Sequence, residues 1–174
     1  MNTAFLTRRL RARPWTPEDA PAALAMYRDP EVTRFLPGAG HSSLEEQRAT
    51  LARAAARYRE LGRGYGFLAL EALDDGRIVG AALLKPLPGH EEVEVGWHLA
   101  RPEWGQGFAT EAGAGAIEYA FAHLPIPRIV AVVHPDNHRS QAVAERLGMQ
   151  LSGRVNAYNL DLLFYVLPRP TVGA

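Results

Sequence analysis

The stretch VEVGWHLARPEWGQGFATEA, residues 93–112, holds the densest set of residues able to do chemistry. Gly105 and Gly107 stand where a predicted strand, Val93–Leu99, runs by a short loop into a predicted helix, Gly105–His123. Glycines let successive backbone N–H groups converge on one point, and a helix start adds unpaired donors and a positive dipole end. That combination holds a phosphate or pyrophosphate without any lysine. A plain turn before a helix is the competing reading, and Gly-x-Gly directly ahead of so apolar a helix favours the cradle. Phe108, Ala112, Ala116, Tyr119 and Ala120 form one side of that helix, and Ile117, Phe121 and Leu124 another.

Just upstream, Glu92, Glu94, Gly96 and His98 share one strand face if no bulge intervenes. A carboxylate on a central strand is partly desolvated, which raises its pKa toward the range of a useful base. Glu94 is the first candidate for taking a proton and His98 the second. An exposed Glu94 opposite a core of Val93, Val95 and Trp97 is the competing reading. Further along, Ser140, Val143, Ala144 and Leu147 fall on one helical face. The serine hydroxyl therefore points inward, where an unpaired hydroxyl is costly. Asp136 or Asn137 as helix cap, with Ser140 bonded back to the backbone, is the alternative.

Other chemistries fall away. Gly105, Gly107 and Thr110 sit at the three positions of G-x-G-x-x-G, but the third glycine is missing and three strands come first, so a dinucleotide fold is a weak reading. No G-K-S/T follows, which excludes a P-loop. His134 and His138 are separated by Pro135 and no H-E-x-x-H exists, which argues against a metal site. No G-x-S-x-G supports a serine acyl-enzyme.

The elements that must position these residues follow from pattern. Leu6–Pro14 reads as an edge strand. Thr16-Pro17-Glu18-Asp19 opens a helix to about Arg28, and Ser42 or Ser43 opens a second, ended by Gly62 and Gly64. Gly66–Leu73 and Arg77–Lys85 flank Asp74-Asp75-Gly76 as a hairpin. Arg128–His134 is a short, continuous apolar run, hence a strand buried on both faces. Arg139–Leu147 is a helix, and Gln150–Arg154 and Asn159–Leu167 are closing strands. The order is β-α-α-β-β-β-α-β-α-β-β, in which residues 91–134 form a crossover that places its two strands parallel in a mixed sheet. The fold class is α/β (α+β) around a mainly antiparallel sheet.

The 174 residues carry zero net charge and 47% hydrophobic residues, which suits one domain and excludes a disordered chain. Absent cysteine removes thiol nucleophiles and thiolate metal sites. Neutrality argues against a general nucleic-acid binder, and no apolar run is long enough for a membrane span. With no signal-length apolar segment at the N-terminus, a cytoplasmic location is the expectation. The neutrality is a sum of unlike halves: residues 1–70 hold 11 Arg against 7 acids, and residues 71–174 hold 8 bases against 12 acids. Of the 19 bases only Lys85 is lysine, and residues 91–118 contain six Glu against Arg101 alone. That acidic stretch suits a cationic amine, with Glu111 and Glu118 read as facing outward.

VGWHLA, WGQGFATEA and the later VHPDNHRSQAVAERLGM together resemble the GNAT acyl-CoA N-acyltransferases, and more narrowly the branch containing the ribosomal-protein N-terminal acetyltransferases. The resemblance covers most of the chain, including the opening RLRARPWTPEDA. One departure is Trp104, where the family loop usually begins with Gln or Arg. The resemblance implies a mixed, mostly antiparallel central sheet of about seven strands with helices on both faces, forming a single domain over residues 1–174. It implies acetyl-CoA as co-substrate, no metal, and an amine acceptor: a protein N-terminus or a small molecule, with a homodimer left open. It places the coenzyme's pyrophosphate on the backbone of Trp104, Gly105, Gln106, Gly107, Phe108, Ala109 and Thr110. The pantetheine arm runs beside Trp97, His98 and Leu99, with one N–H aimed at the thioester carbonyl, and contacts Asn137 and Ser140. Ser140 is then the acid that protonates the leaving thiolate. Arg139 and Arg101 are weak candidates for the 3′-phosphate, set against the plainer reading of surface arginines with no specific partner. A non-catalytic acyl-CoA-binding module on the same fold is the alternative function.

Overall fold

The computed structural model describes residues 3–36 and 43–170. Ser42, one of two predicted helix starts, lies outside them. Among the described residues, eight strands form one sheet in the order β1-β2-β3-β4-β5-β6-β8-β7. They are β1 (Phe5–Leu6), β2 (Leu10–Pro14), β3 (Gly66–Ala72), β4 (Ile78–Pro86), β5 (Val93–Leu99), β6 (Arg128–Val133), β7 (Gln150–Ala157) and β8 (Leu160–Pro168). The helices are α1 (Ala20–Arg28), α2 (Pro30–Thr33), α3 (Leu44–Leu61), α4 (Phe108–His123) and α5 (His138–Arg146).

The single edge strand expected over residues 6–14 is instead two short strands. They form a hairpin turned at Thr7, whose hydroxyl accepts from Leu10 N, and β2 lies inside the sheet against β3. Ser43 opens α3 through a reciprocal box: its Oγ accepts from Glu46 N and its own N donates to Glu46 Oε2. Such a cap contributes about 1 kcal/mol. The expected helix from Gly105 begins only at Phe108, because Gly105 and Gly107 take φ of +77° and +81°.

β4 and β5 pair without a bulge from Gly80↔Leu99 to Pro86↔Val93. Period-two alternation therefore holds, and Val93, Val95 and Leu99 join the core under α4, with Trp97 packed against it. Glu94, Gly96 and His98 face the opposite side, where Ala81 and Ala69 pack with Trp15, Tyr27 and Leu51 of the α1 and α3 layer. Close approach fixes α4: a Cβ on Gly113 would lie 2.7 Å from Leu147 and 3.4 Å from Trp97. Helices thus cover both faces of a mostly antiparallel sheet.

One break in that sheet makes room for a ligand. β5 and β6 are its parallel pair, in register at Glu94↔Val130 near the start of both strands. Beyond that point they part, and the later halves of both, Val95–Leu99 and Ala131–Val133, line one cavity of about 1480 Å³.

Candidate active site

The part of the cavity next to the glycine loop is built largely from backbone. Ala100 N donates to Val79 O at 2.9 Å. Alternation then turns the backbone groups of 94, 96 and 98 toward β4 and those of 95, 97 and 99 toward the gap beside β6. Of the three residues expected along the pantetheine arm, Trp97 and Leu99 present backbone to the gap and His98 does not. The Leu99 carbonyl is already taken, accepting from Trp104 Nε1 at 3.0 Å. Trp104 thus closes the end of β5 with its indole, and the Arg139 guanidinium stacks 4.5 Å above its ring.

Gly105 and Gly107 line the cavity, and Gly107 is the residue before α4 with no side-chain cap. The first turn of α4 therefore offers uncapped N–H groups to the loop. Ala109 and Thr110 line the cavity as well, while Phe108 is buried in the core. The Gln106 side chain folds back onto Pro102 O and Glu103. This loop is held from outside. Arg9 donates to Gln106 O at 3.0 Å, lies 4.4 Å over the Phe108 ring, and pairs with Glu111 at 2.6 Å.

Glu111 therefore does not face outward as the sequence suggests. Burial pushes its carboxyl up, but donors from Thr7 and Arg9 outweigh this and hold it below the usual range. Its partner neutralises a charge that would otherwise repel an anion at the same helix start. The acidic stretch is largely spoken for in this way: Glu92 pairs with Arg128, Glu103 with Arg77 and Glu111 with Arg9. Glu118 is exposed, as expected.

Glu94 is the acid of that stretch that lines the cavity, and it is buried rather than exposed. Desolvation raises its pKa, opposed by the charge of Lys85 and by a hydrogen bond from the Tyr158 hydroxyl. Lys85 Nζ lies 3.7 Å from Glu94 Oε2 and 4.5 Å from the centre of the Tyr158 ring. Tyr158 and Asn159 form the two-residue turn between β7 and β8, with φ of 55° and 60°. Tyrosine is an uncommon choice for a left-handed position, where glycine or asparagine is unstrained. From that position the Tyr158 hydroxyl donates to Glu94.

His98 is half-buried, with Nδ1 3.0 Å from the Tyr27 hydroxyl. Burial, and secondarily Lys85, pushes its pKa down to about 4, so the ring is neutral near pH 7. At the other side of β5, Trp97 Nε1 donates to Ser140 Oγ at 3.2 Å. The serine hydroxyl therefore keeps its own proton to give, and it lines the cavity. Asn137 caps α5, accepting from Ser140 N at 3.2 Å, and also lines the cavity. His134 stacks on Phe35 at 4.9 Å. Among the described residues no group of three metal-ligating side chains comes together. None of their helices is long and apolar enough to cross a membrane.

The sequence points to residues 16–65 and the loop near 155–160 for the acceptor side, which hold Tyr27 and Tyr158 of the cavity wall, but it singles out neither residue, nor Arg9, Lys85 and the Trp97 indole. The left-handed turn position of Tyr158 is invisible without the hairpin register. Lys85 is the sole lysine of the chain, which marks it in the sequence without indicating its partner.

The family model described as the acetyltransferase (GNAT) domain matches residues 9–150, and the chain belongs to that family. Its acetyl donor is accordingly acetyl-CoA. YoaA of Bacillus subtilis (strain 168), named an uncharacterized N-acetyltransferase, is 31% identical over 153 residues, covering 87% of this chain and 85% of its own. An acetyltransferase from Agrobacterium tumefaciens str. C58 superposes with a TM-score of 0.80 at 28% identity, covering 97% and 96% of the two chains. At 15% identity, the microcin C7 self-immunity acetyltransferase MccE, solved with acetyl-CoA and AMP, shares the fold with a TM-score of 0.76 over 93% of each chain.

Proposed function

We propose that this protein transfers the acetyl group of acetyl-CoA to a primary amine, by direct attack of the amine in a ternary complex, and that the amine is a peptide N-terminus. The observation carrying this reading is the placement of Glu94. It is a buried carboxylate of raised pKa in the same continuous cavity as the glycine loop. The left-handed glycines, the uncapped start of α4 and the gap between β5 and β6 fit a pyrophosphate followed by an extended arm. Acetyl-CoA supplies the activated acyl group as a thioester.

The residues then divide the work. The Trp97 N–H, facing the gap, stabilises negative charge that develops on the thioester oxygen. Glu94 takes the proton that the acceptor amine must lose, and burial moves its pKa up from the ordinary carboxylate range in the direction that strengthens a base. His98, held low and bonded to Tyr27, is a poor base and serves to shape the wall. Ser140 Oγ supplies a proton to the departing sulfur while the Trp97 indole holds its oxygen. No cysteine is present to carry an acyl group, so direct transfer is the simplest route. The resemblance of the motifs to the ribosomal-protein branch supports a protein N-terminus over a free small amine.

The test is turnover. Acetyl-CoA is supplied with a panel of peptides bearing free α-amines beside free polyamines, amino acids and aminoglycosides, and coenzyme A release is followed. Release with peptides is the expected result. Tight binding of acetyl-CoA with no release from any amine would favour a non-catalytic binding module.

A further inference from the structure

His98 carries a hydrogen-bonding atom that the fold leaves open. Its Nδ1 lies 3.0 Å from the Tyr27 hydroxyl, with the two rings edge to face at 5.8 Å. Tyr27 is 8% exposed, and burial pushes its hydroxyl pKa up, so the phenol keeps its proton. Among the described residues, His98 Nδ1 is the one hydrogen-bond partner of that hydroxyl. The buried proton is satisfied there, which makes Tyr27 the donor and Nδ1 the acceptor. A neutral imidazole with a bare Nδ1 carries its proton on Nε2. That N–H makes no hydrogen bond among the described residues, and it is not one of their two buried unpartnered polar atoms, Trp15 Nε1 and Gln47 Oε1. It is therefore accessible, on a half-buried side chain that lines the cavity.

Resting on the peptide acceptor proposed above, we infer that His98 is an acceptor-binding residue whose Nε2–H donates to the carbonyl oxygen of the peptide's first residue. Glu94, Gly96 and His98 share the face of β5 turned away from α4, and all three line the cavity. A Cβ on Gly96 would meet nothing nearer than Leu83 at 3.6 Å, so the strip between the two side chains is open. An N-terminal residue lying over Gly96 turns its α-amine toward Glu94 and its carbonyl toward His98. An N–H donor calls for an acceptor atom. A polyamine, protonated near neutral pH, offers donors alone and would leave this N–H unpaired. The burial that holds the ring uncharged also disfavours an anion beside it. A peptide carbonyl therefore suits His98 better than the carboxylate of a free amino acid. A site built around a hydrogen bond rejects ligands lacking the partner, since its own polar group is then left unpaired.

The experiment uses the full chain and two readouts. Proton–nitrogen correlation spectra of nitrogen-labelled protein near neutral pH read the His98 ring, whose signals are assigned by their loss in His98→Gln. A protonated Nε2 with a bare Nδ1 is expected. The opposite tautomer, or a doubly protonated ring, overturns the inference before any substrate is added. The second readout is turnover with acetyl-CoA of tetrapeptides bearing free α-amines, beside analogues in which each carbonyl oxygen in turn is replaced by sulfur, a weaker acceptor. Wild-type protein should lose about five-fold in kcat/KM at the first carbonyl and little at the others. His98→Phe should acetylate the parent peptide about ten-fold more slowly, treat oxygen and sulfur alike, and keep its Kd for acetyl-CoA. His98→Gln, which retains an N–H donor, should keep part of both rate and preference. Equal use of the first-carbonyl analogue by the wild type overturns the inference even if His98→Phe misfolds. So does a His98→Phe variant that keeps the preference, or faster acetylation of free amino acids than of their amides. Acetylation of other amines with no peptide acetylated at all removes the peptide reading and this inference together. Peptides acetylated without regard to the first carbonyl oxygen remove this inference alone.

Discussion

The two ends of the cavity are made by different means. The end proposed for the coenzyme is contiguous in sequence: it runs from Trp97 to Thr110, and its role as a cradle would rest on backbone conformation. The end proposed for the acceptor gathers side chains from Lys85, Glu94 and Tyr158, carried on β4, β5 and the β7–β8 turn. A backbone cradle tolerates many side-chain changes but no loss of its left-handed glycine. A side-chain site depends on each group and on the elements that bring it in. The first end should therefore fail through conformation and the second through chemistry.

Mutations that separate binding from turnover sharpen this contrast. The largest effect is expected for Glu94→Gln, which keeps size and removes the base. kcat should fall by about 10²–10⁴-fold with the Kd for acetyl-CoA unchanged by calorimetry. Gly107→Val should act the other way. A β-branched residue at φ +81° is strained, and acetyl-CoA affinity should drop at least about ten-fold. Ser140→Ala is expected to lower kcat by about ten-fold with acetyl-CoA binding retained. Smallest is the brace: Glu111→Gln weakens a partly exposed ion pair and should raise the KM for acetyl-CoA about two- to five-fold, read by initial rates. An equal loss of acetyl-CoA affinity in the Glu94 and Gly107 variants would break the division between the two ends.

The same contrast explains what the sequence disclosed. The strand, loop and helix of residues 93–123 announce themselves because glycine spacing, apolar run and helix start are local signals. The face shared by Glu94, Gly96 and His98 was legible too, since period two holds wherever no bulge falls. The neighbours of Glu94 were not, because Lys85 reaches it by strand register and Tyr158 by a turn 64 residues away. Glu111 was misread for a related reason. Helical periodicity placed it on the outer side, but the hairpin at Thr7 and Arg9 covers that side. The charge asymmetry along the chain is partly resolved by folding: Arg9 and Arg11 of the basic front pair with Glu111 and Glu71 of the acidic part.

The central claim is that Glu94 removes the proton from the amine, and the pH dependence of kcat/KM tests it most directly. A base must be ionised to act, so activity should fall as pH drops through the Glu94 pKa. Burial places that limb above the range of an ordinary glutamate. Tyr158→Phe removes a donor that favours the carboxylate, and should move the limb to still higher pH. His98→Gln should leave the limb in place, because the imidazole is neutral well above its pKa of about 4. Glu94→Gln should abolish the limb, leaving only the titration of the amine itself. The same acid limb at full rate in Glu94→Gln would contradict the account.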